Sequence, residues 1–265
     1  EGCGADSGLS LGVYTYAPDS SRAPSELFTD LLCEIQQTKA GEAIWIATAK
    51  NQSQEIVSAL IEAHHRGVDV KVVAEERVKD NEHTAALARA LGDAVVFRSG
   101  LDNVGTHHAK VDIFDRAGTN NVRVVVGSTN RSPDNLGSSD PKQPGKLSSN
   151  TDVVINDPAI LGAAKAYIRY LIDPDGKFVT PDAMSSDGQY KLSFLPVPDI
   201  RDSPITRILD DVTCEPSTGT SSKPTTVDMA MFDAGLGAKH NVQQLADLAK
   251  QGCEVRVIIN GKKND

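Results

Sequence analysis

The sequence predicts an α/β fold, with helices packed on a layered β-sheet. Runs typical of strands alternate with amphipathic helical patterns over residues 13–97, and this alternation is typical of α/β layer architectures. A similar order of elements begins again at Lys191. We therefore expect two related lobes, residues 1–190 and 191–265, with the second lobe incomplete in this chain.

The elements of the first lobe follow from its apolar periodicity. A small polar arm leads into a short strand at 13–16, and Pro24 and Ser25 then open a helix with one apolar face. Further strands are predicted at 43–48, 68–73, 94–97, 108–115, 122–126 and 151–155. Further helices are predicted from Ser53 to Gly67, over 80–91 and over 158–171.

Two polar stretches interrupt this pattern. Residues 131–149 are rich in Ser, Pro, Gly and Asp, which predicts a long loop, either a substrate-facing element or a disordered segment. Glu75, Glu76 and Asp80 follow a predicted strand. They lack the ligand spacing of a metal site, so we expect a solvated charged face.

The second lobe repeats the order of the first. We expect a strand at 192–196, a helix that begins at Ser203 and holds Cys214, a strand at 227–232, a helix at 241–252 and a strand at 254–259. Gly252 lies 185 residues after Gly67, and each glycine follows a predicted helix. Such self-similarity over about 60 residues is typical of a duplicated domain.

Composition predicts a folded protein with an acidic balance. The chain has 265 residues, 39% of them hydrophobic, and a formal net charge of -9. Nucleic-acid binding depends on lysines and arginines that displace counterions, so we expect nucleic acid to be the weaker substrate class. No apolar run approaches the roughly 18 residues of a spanning helix, and residues 1–4 lack a signal-peptide pattern. If the protein is secreted, we expect this to be its mature form.

The cysteines predict disulfides. Cys3, Cys33, Cys214 and Cys253 are even in number and widely spaced, without a C-x-x-C motif, which argues against zinc or thioredoxin-type chemistry. We expect a secreted protein, the alternative being four buried thiols in a cytosolic enzyme. By position in the repeat, Cys33 of the first lobe corresponds to Cys214 of the second, whereas Val68 corresponds to Cys253. Because the first lobe has a valine at the second position, Cys33 needs another partner. The predicted pairs are therefore Cys3 with Cys33 and Cys214 with Cys253.

A histidine and a lysine form the centre of the candidate site. In a strand at 108–115, His108 and Lys110 would project from the same face, while His107 would face away. An imidazole can attack phosphorus or carry protons near neutral pH, and an ammonium can neutralise phosphate oxygens. This pair therefore suits a phosphoryl group.

Three further side chains extend this site. Asp115 ends the strand that contains Lys110, whereas Ser128 and Asn130 follow the next strand and would emerge beside the His/Lys pair. Hydroxyl and carboxamide groups can hydrogen-bond the oxygens of a bound phosphate.

The pattern resembles the H-x-K-x4-D signature of the phospholipase D superfamily, with the Gly-Ser-x-Asn that follows it. The resemblance is carried by His108, Lys110, Asp115, Gly127, Ser128 and Asn130. Asp112 departs from the family, where this position is apolar. Since it shares a strand face with Lys110, we expect the two to pair.

The resemblance implies a mixed β-sheet flanked by helices and a metal-independent phosphodiesterase without a cofactor. It also implies a covalent phosphohistidine intermediate, from which water or an alcohol then displaces the histidine. His108 would be the nucleophile or the general acid. Lys110, Ser128 and Asn130 would hold the phosphate. Asp115 would support the geometry of the site.

Members of this superfamily join two such motifs at a pseudo-twofold interface. The offset of 185 would place a second motif near position 293, beyond Asp265. We expect the second motif to come from a remaining C-terminal part of the polypeptide or from a second copy in a dimer.

The expected substrate is a phospholipid, whose head group is hydrolysed or transferred during transient contact with a membrane surface. One alternative is a nuclease of the same superfamily, which would have a basic groove. Another is a phosphatidyltransferase of the cardiolipin synthase type, which would carry membrane-anchoring segments. The third is a non-catalytic binding module that keeps the fold.

Overall fold

The computed structural model describes two compact units, Glu1–Phe194 and Leu195–Asp265. The described residues are 3, 8–16, 24–50, 53–99, 107–117, 122–136, 150–173, 182–194, 201, 203–214, 224–231 and 239–259.

A seven-stranded sheet forms the centre of the first unit. Its strands are β1 (Gly12–Tyr16), β2 (Ala43–Thr48), β3 (Asp69–Glu75), β4 (Val95–Arg98), β5 (Val111–Asp115), β6 (Val122–Gly127) and β7 (Asn150–Ile155). Their order across the sheet is β1-β7-β6-β5-β2-β3-β4. Strands β2, β3 and β4 are parallel to one another, and every other neighbouring pair is antiparallel. The mixed sheet confirms the predicted α/β fold.

Helices cover the sheet on both faces. They are α1 (Glu26–Gln37), α2 (Gln54–His65), α3 (Glu82–Leu91), α4 (Pro133–Leu136) and α5 (Pro158–Ile172). Polar side chains accept hydrogen bonds from the first-turn N–H groups and so fix where the long helices begin. These N-caps are Ser25, Ser53, Asn81 and Asp157.

Successive side chains of β2 point to opposite faces of the sheet and pack in two separate core layers. Ile44 and Ile46 pack in one cluster with the apolar residues of α1, α2 and α3. Trp45 and Ala47 pack in the other cluster with those of α5. The sheet is therefore buried on both sides, which leaves its strand ends as the place where polar groups can gather.

The first unit ends in a small hairpin, which differs from the prediction. Strands β8 (Ala183–Met184) and β9 (Lys191–Leu192) pair with each other, whereas a strand at 192–196 was expected to open the second lobe. Phe194 stacks on Tyr167 with ring centroids 4.6 Å apart. This burial holds the segment in the core of the first unit, and residues 195 and 196 lie outside the described residues.

The second unit contains α6 (Pro204–Asp210), β10 (Thr226–Met231), α7 (Lys239–Lys250) and β11 (Glu254–Ile259). Strands β10 and β11 are parallel, with Thr226 opposite Glu254, as Ala43 lies opposite Asp69 in β2 and β3. Leu209, Leu245 and Leu248 form a core with Cys253. The unit thus has the same β-α-β order and strand register as β2, α2 and β3.

The two helix ends that precede β3 and β11 also correspond. Gly67 has φ 89° and Gly252 has φ 101°, a left-handed conformation that glycine adopts without steric cost. The next residue then closes each helix, since Val68 N donates to Ala63 O and Cys253 N donates to Leu248 O, both at 3.1 Å.

Disulfides join Cys3 to Cys33 and Cys214 to Cys253, each within one unit. They bridge sequence separations of 30 and 39 residues, for which the chain-entropy model gives about 3–4 kcal/mol each. The prediction that a helix holds Cys214 was wrong, because α6 ends at Asp210.

Candidate active site

The candidate site lies at one edge of the large sheet. Strands β5 and β6 are antiparallel, with Val111 opposite Val126, so the residues before β5 and those after β6 leave the sheet together. This register brings His108 and Lys110 to the same edge as Ser128. The predicted strand at 108–115 is shorter in the structure, because β5 begins at Val111.

His107 and His108 have opposite environments. His107 is 5% exposed, and burial, followed by the charges of Lys110 and His108, lowers its pKa to about 4. His108 presents its side chain to solvent. Partial desolvation, then the charges of Lys110 and Lys50, lower the pKa of His108 below its ordinary value. His108 is therefore an accessible, neutral imidazole near pH 7.

Lys110 is a largely buried ammonium at this edge. It is 8% exposed, and its Nζ donates to the backbone carbonyl of His108 at 2.8 Å. Desolvation first, and then the charges of Arg131 and Lys50, lower its pKa to about 8. An amine with this pKa is protonated near neutral pH, and Lys110 lies two residues after His108.

The turn after β6 depends on close contact with β7. A Cβ atom at Gly127 would collide with Asp152 and with the carbonyl of Thr151, so only glycine fits. Ser128 Oγ donates to Asn150 Oδ1 and accepts from Thr151 N, both at 3.0 Å. These contacts position the turn at the edge where His108 emerges.

Asn130 is held by the short helix that follows it. Its Nδ2 donates to Asn135 Oδ1 at 2.8 Å, and its backbone N donates to the same oxygen at 3.0 Å. Asn130 is 6% exposed, and its Oδ1 has no hydrogen-bond partner among the described residues. Since an amide NH₂ carries two hydrogens, the bond to Asn135 uses only one of them.

A buried ionic cluster underlies the turn. Arg131 Nε pairs with Asp112 Oδ2 at 2.6 Å, and Arg131 Nη1 lies 3.7 Å from Asp152 Oδ1. Thr129 Oγ1 donates to Asp152. Burial raises the pKa of Asp112, and the charge of Arg131 opposes that shift.

The expected pairing of Asp112 with Lys110 was therefore wrong, because the guanidinium of Arg131 reaches the Asp112 carboxylate inside the fold. The predicted loop at 131–149 was also wrong at its start. Residues from Arg131 to α4 are mostly buried, and 137–149 lie outside the described residues.

Glu75 is a site residue that sequence reasoning missed. It ends β3 with 2% exposure, accepts a hydrogen bond from His107 N at 2.5 Å and pairs with Arg77 at 3.0 Å. The prediction of a solvated face was wrong for Glu75, because its strand end lies against the His107 backbone. Its carboxylate also opposes the lowering of the His108 pKa.

Asp115 lies away from the other predicted residues. It is the last residue of β5, whereas His108 and Lys110 precede the first. At about 3.3 Å per residue the strand separates Asp115 from Lys110 by roughly 16 Å. Asp115 pairs with Lys165 of α5, so it links the sheet to a helix.

The described helices include none that is both long and apolar enough to cross a membrane. A family model described as "Cardiolipin synthase, PLD-like domain" matches residues 31–172, more than half of the chain and all of the site described above. No curated protein matches the sequence.

Several solved structures are similar. The phospholipase D family member Nuc from Salmonella typhimurium is 22% identical, with 69% of this chain and 97% of that chain covered and a TM-score of 0.41. NucT from Helicobacter pylori is 18% identical, with 54% and 84% covered and a TM-score of 0.40. Polyphosphate kinase from Porphyromonas gingivalis is 15% identical, with 94% and 38% covered and a TM-score of 0.54. This last likeness is one of fold alone.

Proposed function

The chain belongs to the phospholipase D superfamily, and from this premise we propose that it hydrolyses or transfers a phospholipid head group with His108 as the nucleophile. The observation that carries the proposal is that the exposed, neutral imidazole of His108 and the buried ammonium of Lys110 lie at the same sheet edge, where Lys110 Nζ donates to the His108 carbonyl. One group can attack phosphorus while the other neutralises the phosphate oxygens.

The reaction proceeds in two displacements at phosphorus. A ring nitrogen of neutral His108 attacks, the P–O bond to the leaving alcohol breaks, and a phosphohistidine forms. Water or an alcohol then attacks phosphorus, breaks the P–N bond and restores His108. Lys110, Ser128 and the second amide hydrogen of Asn130 stabilise the phosphate oxygens, and Asp115 supports the fold through Lys165.

The leaving alkoxide needs a proton, which a second histidine supplies as general acid. This histidine comes from a further part of the polypeptide or from a second copy of the chain.

We regard the lobes 1–190 and 191–265 as related copies, because β10, α7 and β11 have the same order and register as β2, α2 and β3.

Charge and cysteine chemistry support the substrate and the compartment. The net charge of -9 disfavours nucleic acid, since its phosphates require compensating cations. Two disulfides are compatible with an oxidising compartment. We therefore propose a secreted enzyme that contacts membrane surfaces transiently.

Paired assays in EDTA test the substrate class and the mechanism together. Vesicles that contain phosphatidylglycerol and phosphatidylcholine should yield phosphatidic acid, while single-stranded DNA should be cut slowly or not at all. EDTA should leave the rate unchanged, because the proposed chemistry requires no metal. Rapid DNA cleavage without phosphatidic acid would make the protein a nuclease, and chelator-sensitive activity restored by zinc or calcium would refute the metal-free mechanism.

The pH dependence follows from the two central groups. His108 must be unprotonated to attack, and its pKa lies below 6.5. Lys110 must be protonated to hold the phosphate, and its pKa is about 8. On a p-nitrophenyl diester, whose leaving group departs without a general acid, we expect kcat/KM to rise with pH through a value below 6.5 and to fall above about 8. A profile of kcat/KM that stays flat to about pH 10 would contradict the role of Lys110.

A further inference from the structure

A second cation, Lys50, lies at the edge of the sheet that carries His108. Lys50 follows β2, in which Ala47 is opposite Val111 of β5. These strands are antiparallel, so the chain after Ala47 and the chain before Val111 leave the sheet at the same edge. Lys50 is three residues beyond this pair on one chain segment, and His108 is three residues beyond it on the other.

Hydrogen bonds tie the segment around Lys50 to the site. Thr48, which is 1% exposed, donates from Oγ1 to the carbonyl of Lys50 at 3.3 Å. Ser53 N donates to the carbonyl of Arg131 at 2.8 Å, and Arg131 directly follows Asn130. The carbonyl of Lys50 and the backbone of Ser53 are therefore held in place, the latter by the residue that follows Asn130.

The charge of Lys50 acts in the site and faces solvent. It lowers the pKa values of both His108 and Lys110. Lys50 is exposed, and within the described part of the chain no carboxylate forms an ion pair with it. The nearby carboxylate of Glu75 is paired with Arg77. Lys50 thus adds an accessible positive charge beside the buried one of Lys110.

We propose that Lys50 determines specificity by selecting phosphodiesters that carry a second negative charge beside the scissile phosphate. This inference rests on the proposed phosphodiesterase function and narrows its substrate class. A diester bears one negative charge, which Lys110 neutralises. Lys50 then attracts a further anion on an ester group of the phosphate and repels a quaternary ammonium such as choline.

Three chromogenic substrates test this inference. Each is a phosphodiester with one p-nitrophenyl ester, and its second ester group is ethyl, phosphoethyl or choline. These second groups share a two-carbon unit and are neutral, anionic and cationic, respectively. Lys50→Met removes the charge and keeps an unbranched side chain. Lys39→Met is the matched control, because Lys39 is an exposed lysine that precedes β2 and so lies at the other end of that strand.

Wild-type protein should hydrolyse the phosphoethyl diester with the highest kcat/KM. Lys50→Met should lower that value about tenfold and raise the value for the choline diester, which reverses part of the preference. Lys39→Met should leave the order of the three substrates unchanged. Equal losses on all three substrates in Lys50→Met, or no change on any, would overturn the inference.

If wild-type protein hydrolyses none of the three, the proposed function fails. Calorimetric binding of the same diesters then tests Lys50 separately. Tighter binding of the phosphoethyl diester that Lys50→Met weakens about tenfold would support the specificity role. Equal affinities of wild type and Lys50→Met would refute it.

Discussion

Replacement of His108 by alanine is expected to abolish phosphodiester hydrolysis, with a loss in kcat/KM of about 10⁴-fold or more. His108 is the accessible imidazole beside Lys110, whereas the adjacent His107 is buried. Loss of the nucleophile removes the covalent route, whereas binding through Lys110 remains. We therefore expect kcat to fall much more than substrate affinity, which steady-state kinetics on a chromogenic diester can measure.

His107→Ala is the matched control, because it removes the same side chain one residue earlier. His107 is 5% exposed, so its loss leaves a cavity that costs about 2 kcal/mol of unfolding free energy. Activity should nevertheless stay within about fivefold of wild type at temperatures well below unfolding. Equal losses in both variants would reject the assignment of His108.

The largest stability effect is expected for Arg131→Met. Arg131 lies between the carboxylates of Asp112 and Asp152, and its side chain is only 2% exposed. Removal of one partner leaves buried acids without their counter-charge, which typically costs about 3–5 kcal/mol. Urea unfolding followed by circular dichroism should report this loss.

A surface ion pair of the same length provides the control. Lys79 Nζ lies 2.6 Å from Glu76 Oε1, and these side chains are 50% and 38% exposed. Solvent screens such a pair, so Lys79→Met should change the unfolding free energy by less than about 1 kcal/mol. Similar effects of the two substitutions would show that the buried cluster contributes no more than a surface pair.

The parts of the site that are adjacent in sequence could be predicted from the sequence. His108 and Lys110 are two residues apart, and Gly127, Ser128 and Asn130 follow a clear strand pattern. Alternation of strands and helices likewise predicted the α/β fold, because apolar periodicity reports directly on which face each element buries.

The supporting contacts could not be predicted, because they join residues that are distant in sequence. Arg131 reaches Asp112 across 19 residues, and His107 reaches Glu75 across 32. A buried carboxylate looks like a solvated one in sequence until its partner is known. The hairpin at β8 and β9 depends in the same way on the packing of Phe194 against Tyr167.

The central claim is that His108 forms a covalent bond to phosphorus. Phosphohistidine is a phosphoramidate that survives in base, so a reaction with ethyl p-nitrophenyl phosphate can be quenched in alkali and digested for tandem mass spectrometry. The account predicts that the mass of the transferred phosphoryl group appears on His108 within one turnover and is absent in His108→Ala. Burst release of nitrophenolate without any modified histidine, or with the group on His107, would contradict it.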